Sequence, residues 1–346
     1  MTRFLQLHLL TFFPPANLNR DDTGRPKTAV VGGATRLRLS SQALKRAWRT
    51  SEAFAAALEG HMGSRTQRFG ETVLDRLVAG GMGADQAMTV ARDIAGVFGK
   101  NKDAGDKDPA QIEQLAFLSP EEQAAALALA DRVLAGEKVS AKDAGLLRAT
   151  DTAADIALFG RMLASAPDYN REAAAQVAHA ITTHKVTVED DYYTAVDDLK
   201  TKAEDAGAGF LGEAAFGSGV FYLYLCVDRV LLLRNLGGDA ALAHTTLGAL
   251  IESAATVAPR GKQNSFAAHG RAHYALAERG TKQPRTLAGA FIEPVRGQNL
   301  MTESIEALAK FRQALDGAYG KAAEEDNVMH VGKRGSLAEL TAFAQA

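Results

Sequence analysis

Alternating apolar residues near the start of the chain predict a first strand. Over residues 3–11, leucines at positions 5, 7 and 9 fall on one face, and Phe4, Gln6 and His8 fall on the other. Pro14 and Pro15 are expected to end the strand, because proline has no backbone N–H to donate to a neighbour. A polar loop at 16–33 follows.

A second strand is predicted at residues 35–39, with Leu37 and Leu39 inward. The same alternation places Arg36 and Arg38 together on the outward face. This strand therefore presents two cations on one side.

The next segment predicts an amphipathic helix that begins at Gln42. Ser40 or Ser41 supplies the N-cap, since a serine hydroxyl can accept from the first free backbone N–H groups. The apolar positions keep helical spacing, at Leu44, Ala47, Trp48, Ala55 and Leu58. At about 100° per residue, Lys45, Arg46 and Arg49 occupy a separate arc beside that stripe.

Residues 51–178 are rich in alanine at helical spacing and predict a helical insertion. One helix start within it is well marked by Ser119, Pro120 and Glu122, which together form a capping-box pattern before residues 124–134. These residues are expected to be structural.

Strand character returns at 181–188 and is strongest at 220–227, on either side of an acidic stretch and a glycine-containing tip at 206–209. The acidic stretch begins at Glu189 and includes Asp190, Asp191, Asp197 and Asp198, so it is a poor phosphate binder. Helices are predicted at 240–257 and 302–319, on either side of a basic loop and strand at 260–285. This order predicts an α+β fold with insertions rather than a regular βαβ series.

Composition and charge narrow the class of protein. The 346 residues include 39 Lys and Arg, 41 Asp and Glu and 47% hydrophobic residues, as in a globular protein rather than a disordered one. No apolar run approaches the roughly 18 residues that a membrane span needs. Gln6 and His8 interrupt the initial apolar run, and no small-residue cleavage site follows, so no secretory signal and a cytoplasmic location are expected. The single cysteine, Cys226, lies in an apolar stretch and is expected to be buried.

A local cationic patch is the strongest chemical signal. Residues 34–49 contain Arg36, Arg38, Lys45, Arg46 and Arg49 and no acidic residue. A basic strand that leads into a helix N-terminus offers both side-chain charge and backbone N–H groups to phosphates. A solvated charged face remains the alternative. A second basic region, at 260–285, includes Phe266 and Tyr274, and cations with aromatic rings suit single-stranded nucleic acid.

Signatures of other chemistry are weak. His269 and His273 have the spacing of metal ligands on a helix, but they lack the glutamate of the H-E-x-x-H motif. Neither a phosphate-binding P-loop nor a G-x-S-x-G motif occurs, so nucleotide hydrolysis and esterase chemistry lack their usual signatures. No cofactor and no metal site are expected. Asp21 and Asp22 could bind Mg²⁺ and activate water on a phosphodiester. They could equally cap a turn or pair with Arg20 and Arg25.

Several strings along the chain resemble one known family. They are LNRDD at 18–22, GGATRLRLSSQALKRA at 32–47, ADIALFGRM at 154–162, AHAITTH at 178–184, TAVDDL at 194–199 and GSGVFY at 217–222. In order and spacing they resemble the CasC-type backbone subunit (the Cas-seven family) of the type I-E CRISPR surveillance complex, Cascade.

The resemblance implies a hand-shaped α+β fold, with a modified RRM-like, ferredoxin-like palm sheet, a helical fingers insertion and a thumb hairpin. It implies palm at residues 1–51, fingers at 52–178, palm at 179–190, thumb at 191–216 and palm at 217–346.

The resemblance also implies a function without catalysis. Such subunits bind the CRISPR guide RNA and oligomerise head to tail along its spacer. They present the guide for pairing with target DNA, beside the large, small, guide-end-binding and guide-processing Cascade subunits. The guide-binding positions that it implies are Arg20, Ser40, Gln42, Lys45, Arg46, Arg49 and Met162, and less directly Lys262 and Gln263. The alternative is a guide-directed, Mg²⁺-dependent RNase like the type III backbone subunits, in which Asp21 or Asp22 cleaves target RNA.

Overall fold

The computed structural model describes residues 2–141, 144–195 and 210–346, with the backbone alone at 210–211. The strands are β1 (Phe4–Ala16), β2 (Thr28–Val31), β3 (Ala34–Leu39), β4 (Ser64–Thr66), β5 (Ala116–Leu118), β6 (Ala175–Val177), β7 (Ala180–Thr182), β8 (Glu189–Ala195), β9 (Phe210–Asp228), β10 (Ala272–Gly280) and β11 (Glu325–His330). The helices are α1 (Ser41–Arg49), α2 (Glu52–Ala57), α3 (Phe69–Ala79), α4 (Ala84–Ala95), α5 (Pro120–Leu134), α6 (Ala154–Phe159), α7 (Arg229–Asn235), α8 (Ala240–Thr256), α9 (Gln263–Phe266), α10 (Leu300–Tyr319) and α11 (Leu337–Gln345). Short 3₁₀ helices occur at Pro167–Tyr169 and Ala288–Phe291.

The chain divides into two compact units. The first unit comprises Met1–Phe54, Val177–Cys226 and Leu247–Ala346, and the second comprises Ala55–Gln176 and Val227–Thr246. The assignment of residues 1–51, 52–178, 179–190, 191–216 and 217–346 to palm, fingers and thumb remains a prediction.

The first unit is built on a sheet in which strands run in the order β11-β10-β1-β9-β7-β3-β2. The pairs β1 with β10, β10 with β11, β3 with β7 and β2 with β3 are antiparallel. Helices and this antiparallel sheet confirm the predicted α+β class.

Strand β1 is buried on both faces. The leucines at 5, 7 and 9 are in the core as the alternation predicts, but Gln6 and His8 are buried as well. The strand also continues to Ala16, so the prediction that Pro14 and Pro15 end it is wrong. Its register with β10 shifts between Leu10 and Thr11, and Thr11 with Ala272 is the last pair, so proline at 14 and 15 removes no donor from that ladder.

The second unit has a helical core, in which side chains of α3, α4 and α5 pack together, including Val73, Leu77, Ala91, Ile94, Leu129 and Ala130. The predicted capping box at α5 is confirmed. The Ser119 hydroxyl accepts from the Glu122 backbone N–H at 3.2 Å, and the Glu122 carboxylate accepts from the Ser119 N–H at 3.0 Å.

A two-stranded arm projects from the sheet of the first unit. It consists of β8 and the first part of β9, paired antiparallel from Glu189 with Phe216 to Ala195 with Phe210. Residues 196–209, which include the predicted glycine tip, lie outside the described residues. Strand β9 covers the predicted strand at 220–227, whereas β8 lies in the acidic stretch, where the sequence predicted no strand. The thumb assignment of 191–216 stays a prediction.

Among the other sequence predictions, two helices and the buried cysteine are confirmed and one strand is shorter than predicted. Helices α8 and α10 agree with the predicted 240–257 and 302–319 within two residues, and Cys226 is buried as expected. The predicted strand at 181–188 is shorter, because β7 ends at Thr182 and the chain turns away to bond elsewhere, with the Val186 N–H donating to the Thr35 carbonyl.

Candidate nucleic-acid interface

Helix α1 is anchored by its N-cap and its apolar stripe. The Ser40 hydroxyl accepts from the Ala43 N–H at 3.3 Å, and the Ser40 N–H donates to the Asn19 side-chain oxygen at 2.8 Å. Leu44, Ala47 and Trp48 are buried. This orientation is the predicted one, and it turns the basic arc of the helix away from the core.

The basic arc of α1 meets solvent. Arg46 and Gln42 are exposed, and Lys45 and Arg49 are half-buried. Within the described part of the chain, the side chains of Lys45 and Arg46 have neither a hydrogen bond nor an ion pair. The first turn of α1 contains no acidic residue. Lys45, Arg46 and the positive end of the helix are thus available to an anion.

Arg36 is not part of this surface, so the prediction that it faces outward is wrong. The residue is fully buried, and its guanidinium donates to the carbonyls of Thr182 and Phe291, each at 2.9 Å. Burial lowers its pKa from the ordinary value. The alternation along β3 is as predicted, but the segment that contains Phe291 covers the second face. Arg36 therefore holds two distant segments together and offers no phosphate contact in this arrangement.

Arg38 is half-buried at the end of the same face. Its Nε donates to the Thr28 carbonyl at 3.3 Å, and one terminal nitrogen lies 2.9 Å from Nδ1 of His179. The Arg38 guanidinium is thus partly engaged in hydrogen bonds but remains accessible to solvent.

A loop from the second basic region lies alongside α1. An Arg260 terminal nitrogen donates to the Thr50 carbonyl at 3.2 Å, just after the C-terminus of α1. A Cβ atom at Gly261 would lie 2.3 Å from the Leu18 carbonyl oxygen, so only glycine permits this approach. The sequence alone did not single out Arg260 as part of the α1 surface; the glycine next to it was the available signal.

Lys262 and Gln263 follow in this loop. Lys262 adopts the left-handed region at φ 51°, and its side chain is half-buried. The Gln263 amide donates to the carbonyls of Pro259 and Ala268 at 3.3 and 3.2 Å, so it closes its own loop. The structure therefore places Lys262 in the loop that contacts the residue after α1, and it engages the Gln263 amide within that loop.

Arg20 and the two aspartates lie on the loop between β1 and β2, and all three are exposed. Asp21 Oδ1 accepts from the Thr23 hydroxyl at 2.8 Å and from the backbone N–H groups of Thr23 and Arg25, each at 3.0 Å. The hydrogen bond from the Thr23 hydroxyl is the main reason that the pKa of Asp21 is lowered. Asp21 therefore caps a turn, which is one of the alternatives that the sequence left open.

These contacts assemble a basic corner, defined here as Arg20, Lys45, Arg46, Arg49, Arg260 and Lys262. The Ser40–Asn19 bond ties the Arg20 loop to the start of α1, and the Arg260 and Gly261 contacts tie the 260–262 loop to both. Met162 belongs to the second unit, where its side chain is 80% exposed. Among the described residues, no cluster of three or more His, Cys, Asp and Glu could hold a metal ion. Nor does that part of the chain contain a helix long and apolar enough to cross a membrane.

Comparison with known proteins gives a family for nearly the whole chain. The family described as "CT1975-like protein" matches residues 5–345. The chain belongs to this family. No curated protein matches it.

Two solved structures resemble this CT1975-like chain over its full length. A chain of a structure titled "CRISPR RNA-guided surveillance complex, pre-nicking" is 29% identical and superposes with a TM-score of 0.84, with 99% of this chain and 98% of that chain covered. A chain of a second structure, titled "CRISPR RNA-guided surveillance complex", is 25% identical with a TM-score of 0.73, and the shares covered are 97% and 94%.

Proposed function

We propose that this protein is a backbone subunit of a CRISPR surveillance complex and binds the guide RNA through the basic corner. The full-length similarity to a chain of an RNA-guided surveillance complex, at a TM-score of 0.84, is the observation that supports this most directly. The corner adds a chemical reason. Cations along α1 and on the loops beside it suit a phosphate backbone, and such contacts position a strand without selecting its sequence.

The finer proposal is a subunit of the type I-E kind, as the sequence strings suggest. Copies would stack head to tail along the spacer in the cytoplasm and present it for pairing with target DNA, alongside the other Cascade subunits. A head-to-tail contact that does not close into a ring produces an open helix, which suits assembly along RNA. Base pairing then supplies the sequence specificity.

The deciding experiment is to sequence the RNA that copurifies with the protein expressed in cells that contain a CRISPR array. We expect RNA of uniform length that includes spacer sequence. A mixture of unrelated cellular RNAs would indicate a general RNA-binding module, and protein free of RNA would contradict the proposal.

We also propose that the subunit is not an enzyme. Three hydrogen bonds to a single oxygen engage Asp21 in its turn, which supports a structural role for that carboxylate. The rival function is the Mg²⁺-dependent cleavage of target RNA by Asp21 or Asp22.

The Asp21→Asn and Asp22→Asn double variant separates the two functions. We expect the wild-type assembly to leave complementary RNA intact in Mg²⁺. We also expect that interference by the variant is limited only by how well it binds RNA. If the variant loses the turn at Asp21 and binds RNA more weakly to the same degree, the result would still agree with a non-catalytic scaffold. Cleavage at a regular interval by the wild type, absent in the variant, would establish the nuclease instead.

A further inference from the structure

The loop at residues 17–27 contacts both strands of the arm at a single position. The buried Asn17 side-chain amide donates to the Ala215 carbonyl in β9 at 2.9 Å, and Arg25 makes two contacts with Asp190 in β8, at 2.7 and 3.3 Å. Asp190 and Ala215 are cross-strand partners. The loop, called the clamp loop below, therefore holds one rung of the arm from both sides.

The clamp loop is internally braced so that its two contacts stay in place. Asn17 also donates to the Gly24 carbonyl at 2.9 Å, and Asp21 accepts from the Arg25 N–H. Asn17 is only 2% exposed, so water cannot readily replace its two hydrogen bonds. The Arg25–Asp190 pair is exposed and adds little to the free energy of folding, since such pairs contribute little by themselves. Its main effect is to orient the arm.

The other side of the clamp loop belongs to the basic corner. Arg20 is one of its residues, Asn19 accepts from the N-cap Ser40, and the Lys27 carbonyl accepts from the Arg38 N–H at 2.8 Å. A strand of RNA bound to Arg20 and α1 would thus contact the same clamp loop that holds the arm.

A small rotation of the arm at the clamped rung would displace its far end by a large distance. From Asp190 to Ala195 the arm extends about 17 Å at about 3.3 Å per residue. A rotation of about 10° at the clamped rung would displace its far end by about 3 Å, which exceeds the tolerance of a hydrogen bond. A two-stranded ribbon is only marginally stable by itself, so the contacts of the clamp loop add to what holds the arm in place.

We infer that the clamp loop fixes the direction of the arm relative to the basic corner, with Asn17, Arg25 and Asp190 as positioning residues. Its consequence for assembly rests on the proposed function: by aiming the arm, the loop couples RNA binding in one copy to the docking of the next.

A charge exchange tests the pair without removing a buried group. We compare Arg25→Glu, Asp190→Arg and the double exchange on an RNA that binds one copy and on a longer RNA that binds several. Each single variant should lower the ratio of multi-copy to single-copy affinity by about threefold or more, because attraction is replaced by repulsion. The double exchange should restore the ratio to within about twofold of wild type.

Asp191→Arg is the matched control, because it makes the same charge change one residue away on the opposite face of β8. It should leave the ratio unchanged. An affinity ratio that is the same in wild type, Arg25→Glu and Asp190→Arg would overturn the inference. A fall of the ratio in Asp191→Arg as large as in Asp190→Arg would overturn it as well.

A second readout needs no RNA and separates this inference from the proposed function. Spin labels on Val30→Cys and Tyr192→Cys, both exposed positions, report the direction of the arm, and the natural Cys226 is buried. Arg25→Glu should broaden the distance distribution and the double exchange should narrow it again. An unchanged distribution would overturn the clamp even if RNA binds, whereas wild-type protein that binds no RNA but shows these label distances would overturn only the proposed function.

Discussion

Reversing the charges of Lys45 and Arg46 together is expected to reduce RNA affinity by more than about a hundredfold, since a hydrogen bond to a charged group contributes roughly 1.5–3 kcal/mol. Both side chains lie on the basic arc of α1 without partners among the described residues, so the Lys45→Glu and Arg46→Glu substitutions break no internal contact described there. The dependence of the binding constant on salt should weaken as well. Each lost phosphate contact to a single strand lowers the slope of log K against log salt by about 0.7. Fluorescence anisotropy with a single-copy RNA at several salt concentrations measures both effects.

The matched control reverses Lys310 and Lys333, two exposed lysines outside the basic corner, and changes the net charge equally. We expect it to bind RNA within about threefold of wild type, as a screened long-range effect should. Both double variants should unfold at the wild-type temperature, because Leu44, Ala47 and Trp48 keep their contacts. Equal affinities and equal salt slopes for the two folded variants would remove Lys45 and Arg46 from the interface.

Local signals explain what the sequence predicted well. The part of the stripe at Leu44, Ala47 and Trp48 and the capping box at Ser119 and Glu122 depend on residues within a few positions of each other, and both are confirmed. The prediction that the same helix carries the stripe on to Ala55 and Leu58 is wrong, because α1 ends at Arg49 and Ala55 in α2 is exposed. The predicted helices α8 and α10 are long enough for their periodicity to be clear. The same locality separates Lys45 and Arg46 from the core face, because helical spacing alone decides which side of α1 each residue occupies.

Long-range packing explains what the sequence did not predict. Arg36 has the alternation of an outward residue, but the carbonyl of Phe291, 255 positions away, lies over it. Asn17 and Arg25 have no distinguishing signal in their own neighbourhood, because their partners in the arm are 198 and 165 positions away. Pairings at such separations have no signature in a single sequence, since burial and register are decided by segments that meet only in the fold.

Replacing Glu278 by glutamine is expected to destabilise the first unit by about 3 kcal/mol, the lower end of the range for removing one partner of a buried ion pair. The Glu278 carboxylate is fully buried in the sheet. It accepts from Arg285 at 2.6 and 3.2 Å, and its oxygens lie 2.8 Å from Arg312 Nε and 3.3 Å from His8 Nε2. Asp316 and Asp326 also contact the two arginines and so limit the loss. Urea unfolding followed by tryptophan fluorescence of Trp48, the single tryptophan in the chain, measures the change.

Glu325→Gln is the control for this substitution. Glu325 makes the same kind of pair, with Arg279, but on the neighbouring strand β11 and largely exposed, so its loss should cost less than about 1 kcal/mol. Similar losses for the two variants would show that the buried network adds nothing beyond an ordinary surface pair.

Acidification below pH 4.5 should reduce the difference in stability between wild type and Glu278→Gln. Burial opposes the charge on Glu278, but the hydrogen bonds from His8 and Arg285 outweigh it and lower its pKa from the ordinary 4.5. Its contribution is therefore fully present above pH 4.5 and is lost as the pH falls through the lower folded value. Burial also lowers the pKa of His8 below 6.5, so the wild type begins to lose stability below that pH, where the unfolded chain takes up the proton first. Glu278 raises the pKa of His8 against the effect of burial, so in Glu278→Gln that pKa lies lower still and the variant loses more stability than the wild type below pH 6.5. The free-energy gap between the two proteins should therefore be constant above pH 6.5, widen as His8 of the unfolded chain takes up its proton, and shrink again below about pH 4.5. A gap that continued to widen below pH 4.5 would mean that Glu278 is protonated in the folded protein and that the two arginines are held by other carboxylates.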